Sequence, residues 1–148
     1  MIRSDRRFTF DQPPDEVWAA MARTSAYTRW WPWLRRLDAV GLRAGDVWAC
    51  HVQPPLPYSL RFTITLDEVV DGRSVRATVA GEIVGTASVE LLPAGPAATV
   101  VHFESDLAPA AGALRAFALL ARPLVVWGHD WVLDEGIRQF QDRGLAGH

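Results

Sequence analysis

The sequence predicts an α+β fold in which one large, curved antiparallel sheet packs on a long helix at the end of the chain. The first observation is that segments of alternating apolar and polar residues follow one another through the middle of the chain, separated by short connections. Such connections favour antiparallel neighbours over a parallel sheet. The second is that helical patterns occur only near the two ends of the sequence. Helices segregated from strands in this way are typical of α+β proteins.

A strand and two short helices are predicted at the start of the chain. Alternation near Arg3 to Phe10 indicates the strand. Prolines and acidic residues then precede an apolar helical run, which predicts a first helix over roughly Pro13 to Arg23. The segment Tyr27–Trp33 predicts a short second helix, and Pro32 halts it because the residue before a proline avoids helical backbone angles.

The remaining strands are predicted from period-two alternation, with turn residues between them. The segments are Arg35–Val40, Asp46–Gln53, Tyr58–Val70, Ser74–Ala80, Glu82–Leu92 and Thr99–Leu107. The pair Asp71 and Gly72 is the strongest hairpin signal, because both residue types readily adopt the backbone angles of a tight turn.

The alternation also predicts which residues face the terminal helix. The inward set is Leu60, Phe62, Ile64, Leu66, Val75, Ala77, Val79, Gly85, Ala87, Val89, Val101, Phe103 and Leu107. Several of these side chains are small, and a strongly curved sheet that meets a helix across small side chains leaves room for a cavity. The alternative is that the seven tryptophans fill this space.

The segment from Leu114 to about Gln141 predicts one long terminal helix, which Pro123 starts, kinks or divides. Positions three or four apart share a helix face, so His129 lies in line with an apolar series. The series consists of Val126, Leu133, Gly136 and Phe140. We therefore expect His129 to point into the apolar interior.

The order and spacing of these elements resemble one known family. The residues that carry the resemblance are the Pro-Pro-Asp-Glu-Val-Trp helix start, the Tyr-Thr-Arg-Trp-Trp-Pro turn, Leu-Pro-Tyr before a long strand, and Trp127-Gly-His129 in the final helix. Together they are similar to the polyketide cyclase/dehydrase-like group of the START-related (SRPBCC, helix-grip) superfamily. The resemblance covers nearly the whole chain. It implies an incomplete seven-stranded antiparallel barrel that grips the terminal helix, with a deep apolar pocket between them.

The resemblance also implies a set of ligand-binding residues. The sequence pattern predicts independently that these residues face inward. The set is Trp31, Tyr58, Phe62, Ile64, Val79, Phe103, Val126, His129 and Leu133. Trp31 belongs to a cluster with Trp30 and Trp33, which forms part of the core, a gate to the pocket or a partner surface. Related sequences often have a polar residue before the histidine, whereas this chain has Gly128. We therefore do not expect His129 to act together with a polar residue at the preceding position.

His129 has three interpretations: a core histidine held by a backbone or hydroxyl partner, a polar anchor for a ligand, or a general acid or base. It is the best candidate for a catalytic residue, although no catalytic residue is assigned. Asp130 is adjacent in sequence but lies about 100° away around a helix. The two are not expected to pair, so a catalytic partner would come from another element.

His102, Glu104 and Asp106 alternate along the last strand and so share one face, which resembles the spacing of metal ligands. That face is opposite Val101 and Phe103 and is expected to be the solvent side, where polar rows are ordinary. We expect no metal site. We also expect no cofactor, because the sequence contains no phosphate loop or dinucleotide fingerprint. The chain has no lysine, which excludes Schiff-base chemistry.

A second apolar stripe lies on the side of the terminal helix opposite His129. It consists of Phe117, Leu120, Leu124, Trp127 and Trp131. A helix that is apolar on both faces normally has something covering each face. Either Pro123 rotates the first half of the helix so that part of the stripe joins the same core, or the stripe is an oligomer interface or a membrane contact. We expect a homodimer.

Composition limits the remaining classes of function. With 148 residues, of which 49% are hydrophobic, residues 1–148 are expected to form one domain. The net charge of −2, with interspersed charges, offers no basic surface for nucleic acid. Cys50 is the only cysteine, which excludes an intrachain disulfide and a multi-cysteine metal site. No apolar stretch is long enough for a membrane segment, and a cytoplasmic protein is expected.

Three functions remain. Binding of a hydrophobic small molecule, such as a lipid, a polyketide or another aromatic compound, comes first because the predicted inward positions are almost all apolar. A polyketide cyclase/aromatase or dehydratase comes second, since that chemistry needs an acid or base near a substrate oxygen. A protein-interaction module without a ligand comes third.

Overall fold

The computed structural model describes residues 2–55, 59–110 and 122–145, and its strands form one antiparallel sheet. The strands are β1 (Ile2–Phe10), β2 (Leu34–Asp38), β3 (Val47–Val52), β4 (Leu60–Val70), β5 (Ser74–Gly81), β6 (Ile83–Pro93) and β7 (Thr99–Pro109). Their order across the sheet is β1-β7-β6-β5-β4-β3-β2. The strands β2 to β7 form a meander in which each pairs with the next, and β1 pairs with β7.

Two short helices connect β1 to β2. The helix α1 spans Pro14–Met21 and carries Asp15 and Glu16 in its first turn, where negative charge interacts favourably with the N-terminus of a helix. After a 3-10 turn over Thr24–Ala26, the helix α2 spans Tyr27–Trp30. Both helices lie where the sequence predicts them.

The terminal helix α3 spans Arg122–Gln139 and continues as a π-helical segment over Phe140–Leu145. The predicted start at Leu114 lies outside the described residues, so the effect of Pro123 stays a prediction. The π-helical end is not predicted by the sequence pattern, because contacts with α1 and α2 hold it. The guanidinium of Arg23 donates to the Gly144 carbonyl at 2.7 Å, and Leu145 is buried.

The strands curl into a half-barrel around α3, which confirms the predicted helix-grip fold. The alternation is confirmed on β5, where Val75, Ala77 and Val79 are buried while Arg76 and Thr78 are exposed. Side chains from β1, α1, β4 and the π-helical segment are fully buried: Phe10, Val17, Leu66 and Leu145. None of the helices in the described part of the chain is long and apolar enough to cross a membrane.

Two glycines permit backbone conformations that the sheet requires. Gly72 adopts a φ of +72° in the β4–β5 turn, which confirms the predicted hairpin. Gly85 on β6 has a φ of +150°, and a Cβ atom there would lie 1.9 Å from the carbonyl oxygen of Asp106 on β7. Only glycine allows these two strands to approach so closely at this point.

Candidate ligand-binding site

A cavity of about 460 Å³ lies between the inner face of the sheet and α3. All seven strands contribute lining residues, together with α1, α2 and the segment that follows α2. From α3 and the π-helical segment the lining residues are Gly128, His129, Val132, Leu133, Gly136, Ile137 and Phe140. The tryptophans therefore do not fill the space under the helix.

Small side chains form the floor of this cavity. Ser105 on β7 is in register with Ala87 on β6, which is in register with Ala77 on β5. All three line the cavity. In an antiparallel sheet, residues in register on neighbouring strands lie side by side on the same face. The row is therefore a shallow, smooth strip across the middle of the inner face.

Tryptophans form one wall and attach it to the helix. The indole Nε1 of Trp31 donates to the Gly136 carbonyl at 2.8 Å, and that of Trp33 donates to Gln139 Oε1 at 2.9 Å. The rings of Trp31 and Trp33 stack with their centroids 5.5 Å apart. Trp30 is buried against Phe140. This tryptophan cluster is thus part of the core and of the cavity wall at once.

The structure brings most of the predicted ligand-binding residues to this cavity. Those that line it are Trp31, Phe62, Ile64, Val79, Phe103, His129 and Leu133. Val126 does not belong to the lining, because it lies about one turn before His129, beyond the stretch of α3 that covers the cavity. Tyr58 lies outside the described residues. Whether the lining residues contact a ligand stays a prediction.

His129 is largely buried on the cavity side of α3, with its side chain 16% exposed. Burial lowers its pKa from the usual value, and the neighbouring Asp130 carboxylate opposes this only in part. The distance from His129 Nδ1 to Asp130 Oδ1 is 3.5 Å, at the outer limit of a hydrogen bond. The imidazole is therefore held neutral in a mostly apolar space.

The expectation that His129 and Asp130 do not meet needs a correction, since the two side chains touch at this long distance. The same Asp130 oxygen lies 3.1 Å from Nη2 of Arg6, which also pairs with Asp134. Arg6 lies on β1, far away in sequence. Because Asp130 is engaged mainly by this guanidinium, it is a weak partner for the histidine.

Two other titratable side chains line the cavity, and neither exchanges a proton near neutral pH. Burial raises the pKa of the Cys50 thiol to about 12. Burial also raises the pKa of Tyr27, whose hydroxyl donates to the Met21 carbonyl. Among the described lining residues, His129 is thus the titratable group whose ordinary pKa lies nearest to neutral pH, and burial favours its neutral form.

Several lining residues are missing from the predicted set. Ser105 is buried and lines the cavity, and its alternation with Phe103 and Leu107 was a sufficient signal for its inward direction. Trp33 and Trp48 also line it. Their orientation depends on hydrogen bonds to Gln139 and Gly41, which no local pattern encodes.

The polar row on β7 lies on the outer face of the sheet, as expected, but its grouping differs from the prediction. His102 Nε2 lies 2.7 Å from Asp5 Oδ1 on β1 and 3.1 Å from Glu104 Oε1. Asp106 instead pairs with Arg3 at 3.4 Å. The carboxylates of Asp5 and Glu104 thus both lie within hydrogen-bond distance of the ring nitrogen. The predicted absence of a metal stays a prediction.

The second apolar stripe of α3 is only partly described. Leu124 and Trp127 are each 49% exposed, and Trp131 is half-buried. Phe117 and Leu120 lie outside the described residues. The first two side chains are therefore not part of the core under α3.

Residues 1–143 match the family described as polyketide cyclase / dehydrase and lipid transport. The chain belongs to this family. The match spans the strands, the cavity and α3, so the resemblance seen in the sequence is confirmed for the family and the fold.

Solved structures with the same fold cover almost the whole chain. A protein from Thermus thermophilus has a TM-score of 0.81 at 15% identity, over 98% of this chain and 98% of that chain. The Zhui aromatase/cyclase from a Streptomyces species has a TM-score of 0.72 at 13% identity, over 98% and 92%. A START superfamily protein from Mycobacterium smegmatis has a TM-score of 0.71 at 12% identity, over 96% and 96%. At these identities the likeness shows the fold alone. No curated protein matches the sequence.

Proposed function

We propose that this protein binds a hydrophobic small molecule, such as a lipid, a polyketide or another aromatic compound, in the cavity under α3. One observation carries the proposal: the described residues that line about 460 Å³ of space are almost entirely apolar. Cavities of this size are typical of sites for small organic ligands. Membership of a family described by polyketide chemistry and lipid transport supports the same class of ligand.

The predicted ligand contacts are part of this proposal. Trp31, Phe62 and Phe103 offer flat apolar surface, and His129 offers a neutral ring nitrogen that donates or accepts a hydrogen bond. Transfer of an apolar ligand from water into such a site is favourable in proportion to the apolar area that it buries.

A substitution that fills the cavity tests the proposal. Ala77→Phe places a large side chain on the cavity floor, whereas Ala80→Phe places the same side chain on the exposed outer face of the same strand. We expect the Ala77 variant to lose binding of N-phenyl-1-naphthylamine, an uncharged fluorescent probe, and to lose any hydrophobic compound that native mass spectrometry detects in the wild type. The Ala80 variant should bind like the wild type. Equal binding by all three proteins would contradict the site.

A second candidate function is catalysis of cyclisation or dehydration on a bound substrate, with His129 as general base or acid. Its support is that His129 lines the cavity in which a substrate would bind, and that burial lowers the pKa of its imidazole. With a polyketide-like substrate whose turnover is detectable, His129→Phe should abolish the reaction even at saturating substrate, whereas loss of a purely anchoring histidine would weaken binding and leave the saturated rate unchanged. An unchanged rate would exclude this role.

For the second stripe of α3, we propose a homodimer interface that includes Leu124 and Trp127. The support is that both large apolar side chains are half exposed and three positions apart on one helix face. Sedimentation velocity at micromolar concentration should give a dimer for the wild type and a monomer for Trp127→Glu. A monomeric wild type would contradict the interface.

A further inference from the structure

The hydroxyl group of Ser105 stands out among the polar groups of the cavity. Ser105 is 7% exposed, and its Oγ atom is buried without a hydrogen-bond partner in the described part of the chain. A buried hydroxyl that has given up its hydrogen bonds to water and gained none is unfavourable. A ligand oxygen or nitrogen placed beside it would restore the lost hydrogen bond.

The other hydroxyl and indole groups of the cavity are already engaged. Tyr27 donates to the Met21 carbonyl, and the indole nitrogens of Trp31 and Trp33 donate to α3. Ser88 also touches the cavity, but it pairs in register with Arg76 and Glu104 and belongs to the outward-facing alternation of β6. Ser105 is thus the inward-facing hydroxyl that remains unsatisfied among the described lining residues.

The surroundings of Ser105 define the shape of what it binds. Its neighbour on the cavity floor is Ala87, and the next residue across is Ala77. Strands lie about 4.8 Å apart, so the row from Ser105 to Ala77 measures about 10 Å. A flat ring system of two or three fused rings fits across the alanines, with one end at the serine.

The described residues that line the cavity offer no charged side chain to pair with an ionised group of a ligand. No Arg, Asp or Glu is among the described residues that line it, and His129 is held neutral. An unpaired charge in such a site would be strongly destabilised.

We propose that Ser105 is the specificity-determining residue of the cavity, and that it selects an uncharged, flat ligand with a hydroxyl or carbonyl oxygen at one end. This inference rests on the proposed binding function. The serine donates to, or accepts from, that oxygen, while the alanine floor leaves room for the rings.

Two fluorene probes of matched size test the proposal: 2-hydroxyfluorene, which carries the oxygen, and 2-methylfluorene, which lacks it. Binding is followed through the fluorescence of the tryptophans in the cavity wall. The Ser105→Ala variant should bind 2-hydroxyfluorene about 5- to 10-fold more weakly than the wild type, and 2-methylfluorene within about twofold. The matched control is Ser74→Ala, since Ser74 belongs to the outward-facing alternation of β5 and does not line the cavity. It should change neither affinity.

Thermal unfolding without ligand separates an anchoring role from a structural one. Ser105→Ala should unfold at the same temperature as the wild type or at a higher one, because the substitution removes an unsatisfied hydroxyl. If the alanine variant does not fold, Ser105→Cys replaces it in the binding test, because a thiol is similar in size to a hydroxyl but forms only weak hydrogen bonds.

The outcomes distinguish this inference from the function on which it rests. Suppose that the wild type binds 2-methylfluorene, and that Ser105→Ala lowers the affinity for both probes equally or for neither. The proposed role of Ser105 is then overturned, whereas the hydrophobic binding site is still supported. If the wild type binds neither probe, the proposed function fails and the anchor fails with it.

Discussion

The two ends of α3 differ in how they are held. At the C-terminal end, Phe140 packs edge-on against Phe10, with the ring centroids 5.7 Å apart, and the indole of Trp33 donates to the buried Gln139. Near the N-terminal end of the described helix, Leu124 and Trp127 are each 49% exposed.

The amphipathic pattern of a helix therefore does not by itself show where along its length the helix is anchored. Arg143 strengthens the C-terminal attachment by donating to the Trp30 carbonyl at 2.8 Å. His129 lies between the two ends and faces the cavity. Among the described residues, the buried contacts and hydrogen bonds of α3 are concentrated at its C-terminal end, and we infer that this end holds the helix to the rest of the domain more firmly.

The largest expected effect is on the packing of Phe140. Phe140→Ala removes a buried ring from between β1 and α2, and we expect the free energy of unfolding to fall by about 3–5 kcal/mol. Leu124→Ala, at the exposed end, should change it by less than about 0.5 kcal/mol when both proteins are compared as monomers. Urea denaturation followed by circular dichroism measures both. Similar losses for the two variants would remove the distinction between the ends.

A smaller effect is expected from the tryptophan hydrogen bond. Trp33→Phe keeps an aromatic ring but leaves the buried Oε1 of Gln139 without its indole donor. The expected loss of unfolding free energy is about 1–3 kcal/mol. The matched control is Trp127→Phe, measured at a protein concentration at which the chain is monomeric, since its side chain is half exposed. It should remain within about 0.5 kcal/mol of the wild type. A neutral Trp33 variant would show that ring packing alone holds this end.

The smallest expected effect concerns pH and His129, midway between the ends. Burial lowers the pKa of His129 in the folded protein, so the unfolded chain binds more protons below its own pKa of about 6.5. The contribution of neutral His129 to stability is complete above about pH 6.5 and is lost as the pH falls towards the lowered pKa.

The variant His129→Phe should therefore lose less stability than the wild type between about pH 7.5 and about pH 5. Urea denaturation at the two pH values gives the pH dependence of the unfolding free energy for the wild type and for the variant. The difference between the two proteins at the higher pH, where His129 is neutral, measures the cost of packing a phenyl ring in its place. Identical slopes would mean that His129 has a normal pKa in the folded protein.

The sequence predicted the elements well because their signals are local. Alternation along β4 to β7 assigned the inward residues, and Asp71 with Gly72 placed the hairpin turn. The predicted helix face that contains His129, Leu133 and Gly136 covers the cavity. The expectations of one domain and of a cytoplasmic location stay predictions.

The parts of the site that local patterns did not reveal depend on contacts between distant segments. Arg6 reaches Asp130 from the other end of the chain, which left the weak contact between His129 and Asp130 unforeseen. Val126 shares the helix face of His129, but the cavity does not extend that far along α3.

Local sequence patterns account for the type of each element and the face that it buries, because the periods of two and 3.6 residues involve only near neighbours along the chain. Tertiary structure aligns Ser105, Ala87 and Ala77 into one floor, because strand register is set by pairing across the sheet. It also decided that about 460 Å³ stays unfilled, since the tryptophans donate to α3 and stand along the wall.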